Sequence, residues 1–196
     1  MSDPTPHAVI AVVLRVHEGR LEVLLASASR DEDALETALA RAVDVASLAH
    51  VEQLETRVLE SGGLATAYLG LARARGDHGT AWSDARQGEG RARDEVELVA
   101  AAQARLRAKL SYTNVGFALA PLRFTLSELR EIYVAALGHD VSATNLQRVL
   151  LRRGVLERVE GLRSPGRTGG RPAALFRFAA QRLEVTDEFA ALRPPR

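Results

Sequence analysis

The sequence contains no cysteine, and it has no long uninterrupted apolar segment. Without cysteine the chain has no disulfide bonds, no thiolate ligands for a metal and no cysteine nucleophile. No apolar run approaches the roughly 18 residues that a membrane-spanning helix needs. The first residues also lack the basic and hydrophobic regions of a signal peptide. We therefore expect a cytoplasmic protein.

Lysine is nearly absent, so arginine carries almost all of the positive charge, and that charge is unevenly distributed. Residues 1–122 hold 13 basic and 17 acidic residues, a net charge of −4, whereas residues 123–196 hold 13 and 8, a net charge of +5. Such asymmetry indicates a nucleic-acid-binding module joined to a second module of another kind.

The N-terminal part reads as a compact α+β domain. Two valine-rich and leucine-rich runs, Ala8–Val16 and Leu21–Ala26, flank a Gly-containing turn and predict a β-hairpin. Acidic residues opening an Ala- and Leu-rich stretch predict a helix over 31–45. Two further strands are predicted over 49–57 and 64–72, then a loop over 73–93. A helix over 94–110 follows, with an inward stripe at Val96, Val99, Gln103, Leu106 and Leu110.

The C-terminal part reads as a winged helix-turn-helix. Thr125 and Glu128 form a capping-box pattern at the start of one helix, and Gly138 is placed to end it. Ser142 is placed to cap a second, short helix over 143–153. Strands over 155–159 and 174–178 would pair around the loop 161–172, which contains three arginines and no acidic residue. Such a loop suits a phosphate backbone, because each arginine can displace a condensed counterion.

Several longer segments together resemble a known family. Residues 107–121, 124–133, 142–148 and 170–178 are similar to the linker and winged-helix motifs of the Nudix-related transcriptional regulators, NrtR type, and residues 50–56 and 65–71 fit that family's Nudix-like domain. The resemblance covers nearly the whole chain and is nearest to actinobacterial-like members whose Nudix box is degenerate.

The resemblance implies an α+β protein with two domains. These are a Nudix-like α/β/α sandwich over 1–110 for effector sensing and dimerisation and a winged helix-turn-helix over 123–180 for DNA binding. A linker over 111–122 joins them, and a tail over 181–196 follows. It further implies a homodimeric repressor of NAD biosynthesis or salvage genes that binds a palindromic operator in double-stranded DNA. ADP-ribose or a related nucleotide is the implied effector, and no cofactor or membrane partner is implied.

The second helix and the wing supply the DNA contacts that we predict. Short polar and basic side chains on such a helix reach base edges in the major groove, and we assign this role to Thr144, Asn145, Gln147 and Arg148. Phosphate or minor-groove contacts are assigned to Arg152, Arg153, Arg163, Arg167 and Arg171. Lys109, Tyr112 and Thr113 lie at the domain junction, where DNA-backbone contact and hinge packing are both open. A solvated polar face is the alternative for the whole set.

The Nudix box that hydrolysis requires cannot be aligned here. Its glutamates must share one helix face to hold Mg²⁺ or Mn²⁺. With Arg41 as the box arginine, the glutamate pair falls on Val45 and Ala46. In the register set by Glu52, it falls on Arg41 and Ala42. We therefore expect no catalytic residues, no metal site and no enzyme, with a residual nucleotide-sugar pyrophosphatase as one alternative.

The effector contacts are predicted on or beside the central strands, at Glu52, Gln53, Arg57 and Tyr68. Residues of these types at such positions are more often ordinary strand-surface side chains. A second alternative is therefore a constitutive DNA-binding protein whose degenerate domain only dimerises.

Overall fold

A computed structural model describes residues 7–29, 34–74, 82–163 and 172–187. The chain divides into two units, unit 1 over residues 1–105 and unit 2 over residues 106–196. The division falls inside one long helix. The predicted limits of the linker and of the C-terminal tail stay predictions.

Unit 1 is built on a five-stranded mixed sheet with strand order β3-β4-β1-β2-β5. The strands are β1 (His7–His17), β2 (Arg20–Ser29), β3 (Leu48–Val58), β4 (Leu64–Ala72) and β5 (Ser83–Asp84). The predicted hairpin is confirmed as β1 and β2, which pair antiparallel, while β1 and β4 run parallel. Glu18 and Gly19 both adopt positive φ, 47° and 72°, as a tight two-residue hairpin turn of this twist requires. The two further predicted strands are also confirmed, as β3 at the edge of the sheet and β4 inside it. The two-residue β5 lies in the stretch that we predicted as loop.

Helix α1 (Ala34–Ala42) covers one face of this sheet. Val9, Ala11 and Val13 of β1 alternate along the strand and join Ala38 and Leu39 of the helix in one buried cluster, as the period of two in a strand requires. The predicted helix is confirmed over 34–42, and its first residues, 31–33, lie outside the described part. The predicted end is wrong, because residues 45–47 form a separate 3-10 turn capped by Asp44.

Helix α2 (Arg93–Tyr112) confirms the second predicted helix. Within unit 1 it contacts β3 through two ion pairs, Arg57 with Glu97 and Arg105 with Glu52. Hydrogen bonds from Arg57 and Arg93 hold the pKa of Glu97 below its usual value. The predicted inward stripe is confirmed except at Val96, which is 39% exposed. Leu98 and Ala102, which the predicted stripe does not include, are also fully buried on this helix.

Unit 2 contains the predicted pair of helices, α3 (Leu126–Leu137) and α4 (Ala143–Arg152). The capping box is confirmed: the backbone N–H of Thr125 donates to Glu128 Oε2 at 2.7 Å, and the N–H of Glu128 donates to Thr125 Oγ1 at 3.2 Å. Gly138 ends α3 in the left-handed region at φ 82°, where glycine carries no Cβ penalty.

The wing is the two-stranded antiparallel sheet of β6 (Leu156–Arg163) and β7 (Ala173–Phe178). Both predicted strands are confirmed, and β6 runs longer than predicted. Phe124 pairs with Phe176 through two backbone hydrogen bonds of 3.0 and 2.8 Å, which attach the start of α3 to the wing. The rings of Phe124 and Phe178 pack with centroids 5.4 Å apart. The tip of the basic loop, residues 164–171, lies outside the described part.

The segment 181–187 packs on the residues that follow α2. Asn114 accepts from the N–H of Glu184 at 2.7 Å and donates from Nδ2 to the carbonyl of Arg182 at 2.9 Å. Thr113 and Val185 form an antiparallel bridge. These bonds hold the segment 181–187 against Thr113 and Asn114. Among the helices of the described residues, none has the length and apolar character to cross a membrane.

Candidate nucleic-acid interface

The turn between α3 and α4 is held by Arg130. Its Nε donates to the carbonyl of Val141 at 2.8 Å, and its Nη2 donates to Asp140 Oδ1 at 2.5 Å. The same Asp140 oxygen accepts from the N–H of Val141 at 2.8 Å. Ser142 then caps α4. A guanidinium that bonds the turn in two places fixes the angle at which α4 leaves it.

Helix α4 buries one face and exposes the other. Leu146 and Leu150 are buried. Four of the side chains that we predicted to contact DNA are exposed and one is half-buried: Thr144, Asn145, Arg148 and Arg152 are exposed, and Gln147 is half-buried. The structure therefore brings these five predicted contacts together on one short helix.

Asn145 and Arg148 form a pair on that exposed surface. Arg148 Nη2 donates to Asn145 Oδ1 at 2.8 Å, one helical turn away. Neither Arg148 nor Arg152 forms an ion pair with any residue of the described ranges. Both guanidinium groups are therefore positive charges that the surrounding chain leaves uncompensated.

Arg163, at the end of β6, lies close to the start of α3. Its Nη2 is 3.3 Å from the carbonyl of Arg123 and 3.4 Å from Glu128 Oε2. The neighbouring carboxylate partly compensates its charge, so Arg163 is a weaker candidate for a phosphate contact than the sequence indicates. The predicted contacts Arg167 and Arg171 lie outside the described residues.

Arg153 is held inside unit 2. Its Nη2 donates to Asp187 Oδ2 at 2.7 Å and its Nη1 donates to the carbonyl of Ser111 at 2.9 Å. The side chains of Arg153 and Asp187 are only 13% and 14% exposed. This arrangement favours a structural role for Arg153 over the phosphate contact predicted from the sequence.

The three junction residues have different surroundings. Thr113 is 1% exposed, and its hydroxyl donates to the carbonyl of Lys109 at 2.7 Å. These facts argue against a DNA contact for Thr113 and support the alternative of hinge packing. Tyr112 and Lys109 are half-buried, and the Tyr112 carbonyl accepts from the backbone N–H of Thr186 at 2.8 Å.

In unit 1 the four predicted effector contacts divide between the two faces of the sheet. Glu52 and Arg57 reach α2 on one face. Gln53 pairs in register with Tyr68, and Tyr68 packs on the cluster under α1 on the other face. Because a sheet separates its faces, the four side chains cannot surround one ligand. The structure does not bring the four side chains together, and their role as effector contacts stays a prediction.

Two sequence comparisons point to regulators of the same type. The family model of the NrtR DNA-binding winged helix domain matches residues 116–178, which include α3, α4 and both strands of the wing. The "ADPR responsive transcriptional repressor NtrR" of Acinetobacter baylyi is 39% identical over 88 residues. In its winged helix the chain is similar to the NrtR-type regulators. The predicted resemblance is confirmed.

Solved structures extend the likeness to NrtR beyond the winged helix. The crystal structure of Shewanella oneidensis NrtR has a TM-score of 0.72 at 24% identity, covering 88% of this chain and 93% of that one. The structure of the same protein complexed with a 27mer DNA has a TM-score of 0.70 at 26% identity, covering 87% and 92%. The predicted fold class, a Nudix-like domain followed by a winged helix-turn-helix, is confirmed. The Acinetobacter baylyi match covers 45% of this chain, and the chain spans about a third of that relative's length, 34%.

Some residues that shape the NrtR-type winged helix escaped the sequence analysis. Arg130 has no motif of its own, and its partners in the turn lie ten and eleven residues away. Asp187 lies 34 residues from Arg153, so no local pattern signals that pair. In unit 1, Arg15 is buried, pairs with Glu22 at 2.7 Å and stacks on Trp82 at 4.0 Å. Among the described residues, no group of three acidic or histidine side chains is placed to hold a metal.

Proposed function

We propose that this protein is a ligand-responsive transcriptional repressor. The observation that carries the proposal is the outward face of α4, where Arg148 and Arg152 lack acidic partners among the described residues, within a winged helix of the NrtR type. A DNA-bound relative of the same fold and a relative named an ADPR-responsive repressor support it. A bacterial regulator of this kind acts in the cytoplasm, where the DNA is.

The base-reading role belongs to the N-terminal part of α4. Recognition helices present their first turns to the major groove, and Thr144, Asn145 and Arg148 lie there, exposed. Arg148 can donate to guanine, and an amide whose oxygen already accepts from Arg148 presents its NH₂ to a base acceptor. Gln147 supports this set from a half-buried position.

Phosphate contacts belong to Arg152 and to the arginines of the wing loop, Arg167 and Arg171. They fix the register of the protein on the duplex without reading sequence. Lys109 and Tyr112 extend this set at the junction.

A palindromic operator requires two such helices about 34 Å apart, one DNA turn. We therefore propose a homodimer, with the dimer interface in unit 1. Control then works by a population shift, since an effector can release DNA only if it binds the DNA-incompetent dimer more tightly. Tenfold release corresponds to a coupling free energy of about 1.4 kcal/mol.

Unit 1 is proposed as a sensor that does not hydrolyse its ligand. We take α1 as the counterpart of the Nudix helix, and it carries Glu36 but not the glutamate series that binds metal. ADP-ribose or a related nucleotide is the proposed effector, and genes of NAD biosynthesis or salvage are the proposed targets.

The test is a titration of the protein onto DNA from upstream of its own genome's NAD biosynthesis genes, at fixed salt, with and without ADP-ribose. Specific binding that ADP-ribose releases is the expected result. Specific binding that no NAD-related metabolite changes would overturn the sensor role and leave a constitutive repressor. Binding of equal strength to all sequences would overturn the regulator assignment for these genes.

A further inference from the structure

Unit 1 contains a polar cavity of about 360 Å³ at one edge of its sheet. At this edge β1 and β4 begin, β2 ends, and the turn between β3 and β4 closes the side. The last turn of α1 contributes Arg41. The cavity is lined by His7, Ala8, Ser27, Ala28, Arg41, Leu59, Ser61, Gly63 and Leu64.

The described residues that line this cavity include basic side chains and no acidic one. Arg41 is positive and His7 is ionisable, Ser27 and Ser61 add hydroxyl groups, and none of the nine lining residues is acidic. Two other arginines of unit 1 pair closely with carboxylates, Arg15 with Glu22 and Arg57 with Glu97. Arg41 has no carboxylate partner among the described residues, so its charge is left available to a ligand.

The guanidinium of Arg41 is also oriented. Its Nη1 donates to the carbonyl of Ser27 at 3.1 Å, which holds the group at the cavity. The Nε and Nη2 groups have no acceptor within the described ranges. A planar guanidinium with free donors matches the oxygens of a phosphate in a two-bond geometry. The ring of His7 is fixed too, because its Nε2 lies 2.9 Å from Thr66 Oγ1.

Sites for drug-sized molecules occupy about 300–1,000 Å³, so a cavity of about 360 Å³ is large enough for a phosphate or diphosphate group. We propose that the cavity at Arg41 binds a phosphate or diphosphate group, either free or as part of a nucleotide. Insofar as that nucleotide is the regulatory effector, the inference rests on the proposed function.

The site differs from the residues predicted on the central strands. Glu52 would repel an anion, and it already accepts from Arg105. The cavity combines one oriented arginine with a lining that contains no acidic side chain among the described residues, which none of those predicted contacts offers. A nucleotide whose phosphates bind at Arg41 would extend its remaining parts from this edge of the sheet.

Calorimetric titration of the full-length protein tests the proposal, with inorganic pyrophosphate, ADP-ribose and adenosine as separate ligands. Arg41→Gln removes the charge and keeps a polar side chain of similar length. Arg41→Lys keeps the positive charge but loses the planar guanidinium that can donate two parallel hydrogen bonds. Arg20→Gln is the matched control, since Arg20 is exposed at the opposite end of β2. Circular dichroism checks that each variant is folded.

We expect pyrophosphate and ADP-ribose to bind the wild-type protein and Arg20→Gln alike, while adenosine binds neither. Arg41→Gln should lower the affinity for both phosphate ligands about tenfold or more, the loss typical of a charge-assisted hydrogen bond. The affinity of Arg41→Lys should lie between those of Arg41→Gln and the wild type. Binding of pyrophosphate without ADP-ribose identifies a free phosphate as the ligand. Binding that Arg41→Gln leaves unchanged overturns the site, as does the absence of phosphate binding to the wild type.

The same proteins are then titrated onto operator DNA with and without ADP-ribose. If ADP-ribose releases DNA from Arg41→Gln as well as from the wild type, the cavity proposal fails and the repressor proposal stands. If no protein binds operator DNA but Arg41→Gln has lost phosphate binding, the repressor proposal fails and the cavity proposal stands.

Discussion

Arg148 donates a hydrogen bond to the amide oxygen of Asn145 at 2.8 Å on the exposed face of α4. The bond links two side chains that the sequence predicts to read bases. It also decides which group each one presents, since Asn145 is left with its NH₂ and Arg148 with its remaining N–H groups. Both then offer donors, so the pair is suited to neighbouring acceptors such as the N7 and O6 of guanine.

Arg148→Ala should therefore weaken binding to the specific operator by about 1–3 kcal/mol and relax selection at one base position. Non-specific binding should change much less. Competition binding with a set of single-base operator variants measures both effects. Arg182→Ala is the control, because Arg182 is an exposed arginine of the same unit paired only with Glu184.

The hydrogen bond adds a second, quantitative requirement. The losses for Asn145→Ala and Arg148→Ala should not add in the double variant, because the two side chains act as a unit. Strict additivity would mean that the pair in the free protein does not persist on DNA. If Arg148→Ala instead lowers the affinity for all DNA sequences equally, Arg148 contacts phosphates and does not read a base.

The wing arginines should respond to salt more than to sequence. Arg167 lies outside the described residues, in a loop without acidic side chains. Arg167→Ala should weaken all DNA sequences evenly and reduce the slope of log affinity against log salt by about 1. Arg163→Ala should reduce it less, because Glu128 is already 3.4 Å from that guanidinium. If Arg167→Ala and Arg148→Ala change the selectivity for bases to the same extent, the proposed division of roles between the wing and α4 is wrong.

The proposed sensor role predicts that ADP-ribose survives incubation with the protein. We expect no AMP at saturating Mg²⁺ or Mn²⁺, because α1 lacks the glutamate series that would hold the metal. Chromatography of the nucleotides measures this, with an active ADP-ribose pyrophosphatase in the same buffer as the positive control. Metal-dependent release of AMP by the purified protein would restore the hydrolase alternative.

Most elements could be predicted because their signals are local. Capping by Thr125 and Ser142, the stop at Gly138 and the apolar runs of β1 and β4 each lie within a few residues of what they specify. The register of β3 could not be predicted. Strict alternation would place Gln53 and Arg57 on one face, but β3 has a register shift between Gln53 and Glu55, and such a bulge reverses the alternation.

The exposed face of α4 was easier to predict than the cavity at Arg41 for the same reason. Its exposed side chains follow from one helix and its cap, so Thr144, Asn145 and Arg148 could be placed from their spacing alone. The cavity at Arg41 is assembled from four separate segments of the chain. No pattern of spacing in the sequence indicates that these segments come together. In the same way, no pattern indicates that Arg153 pairs with Asp187.

The pair of Arg153 and Asp187 should contribute to the stability of unit 2. Hydrogen bonds to charged groups contribute about 1.5–3 kcal/mol, and both side chains are largely buried. Arg153→Met should therefore lower the free energy of unfolding by about 2 kcal/mol, as measured by urea denaturation. Arg153→Met combined with Asp187→Leu should cost less than the sum of the single changes, because the double variant leaves no uncompensated charge.

An exposed ion pair supplies the control. Arg182 and Glu184 are 85% and 43% exposed, so Arg182→Gln should change the free energy of unfolding by less than about 1 kcal/mol. If Arg153→Met keeps full stability and instead flattens the salt dependence of DNA binding, Arg153 is a phosphate contact, as the sequence indicates.

The Tyr133 hydroxyl should be dispensable for folding. It is buried, it has no hydrogen-bond partner among the described residues, and burial raises the pKa of Tyr133 well above its usual range. The hydroxyl also lies 2.8 Å from where a Cβ on Gly116 would stand. Because an unsatisfied buried hydroxyl is costly, Tyr133→Phe should leave stability unchanged or raise it by about 1 kcal/mol.

Gly116→Ala tests the same contact from the other side. The added methyl group would also stand 3.0 Å from Phe178 Cζ, and overpacking of this kind costs about 1–3 kcal/mol. The cost should be smaller in the Tyr133→Phe background, where the nearest atom is gone. Gly88→Ala, whose Cβ would meet Val96 at an ordinary 3.5 Å, should be nearly neutral. If Tyr133→Phe alone destabilises unit 2 by more than about 1 kcal/mol, the hydroxyl has a partner, and a buried water beside Gly116 is the first candidate.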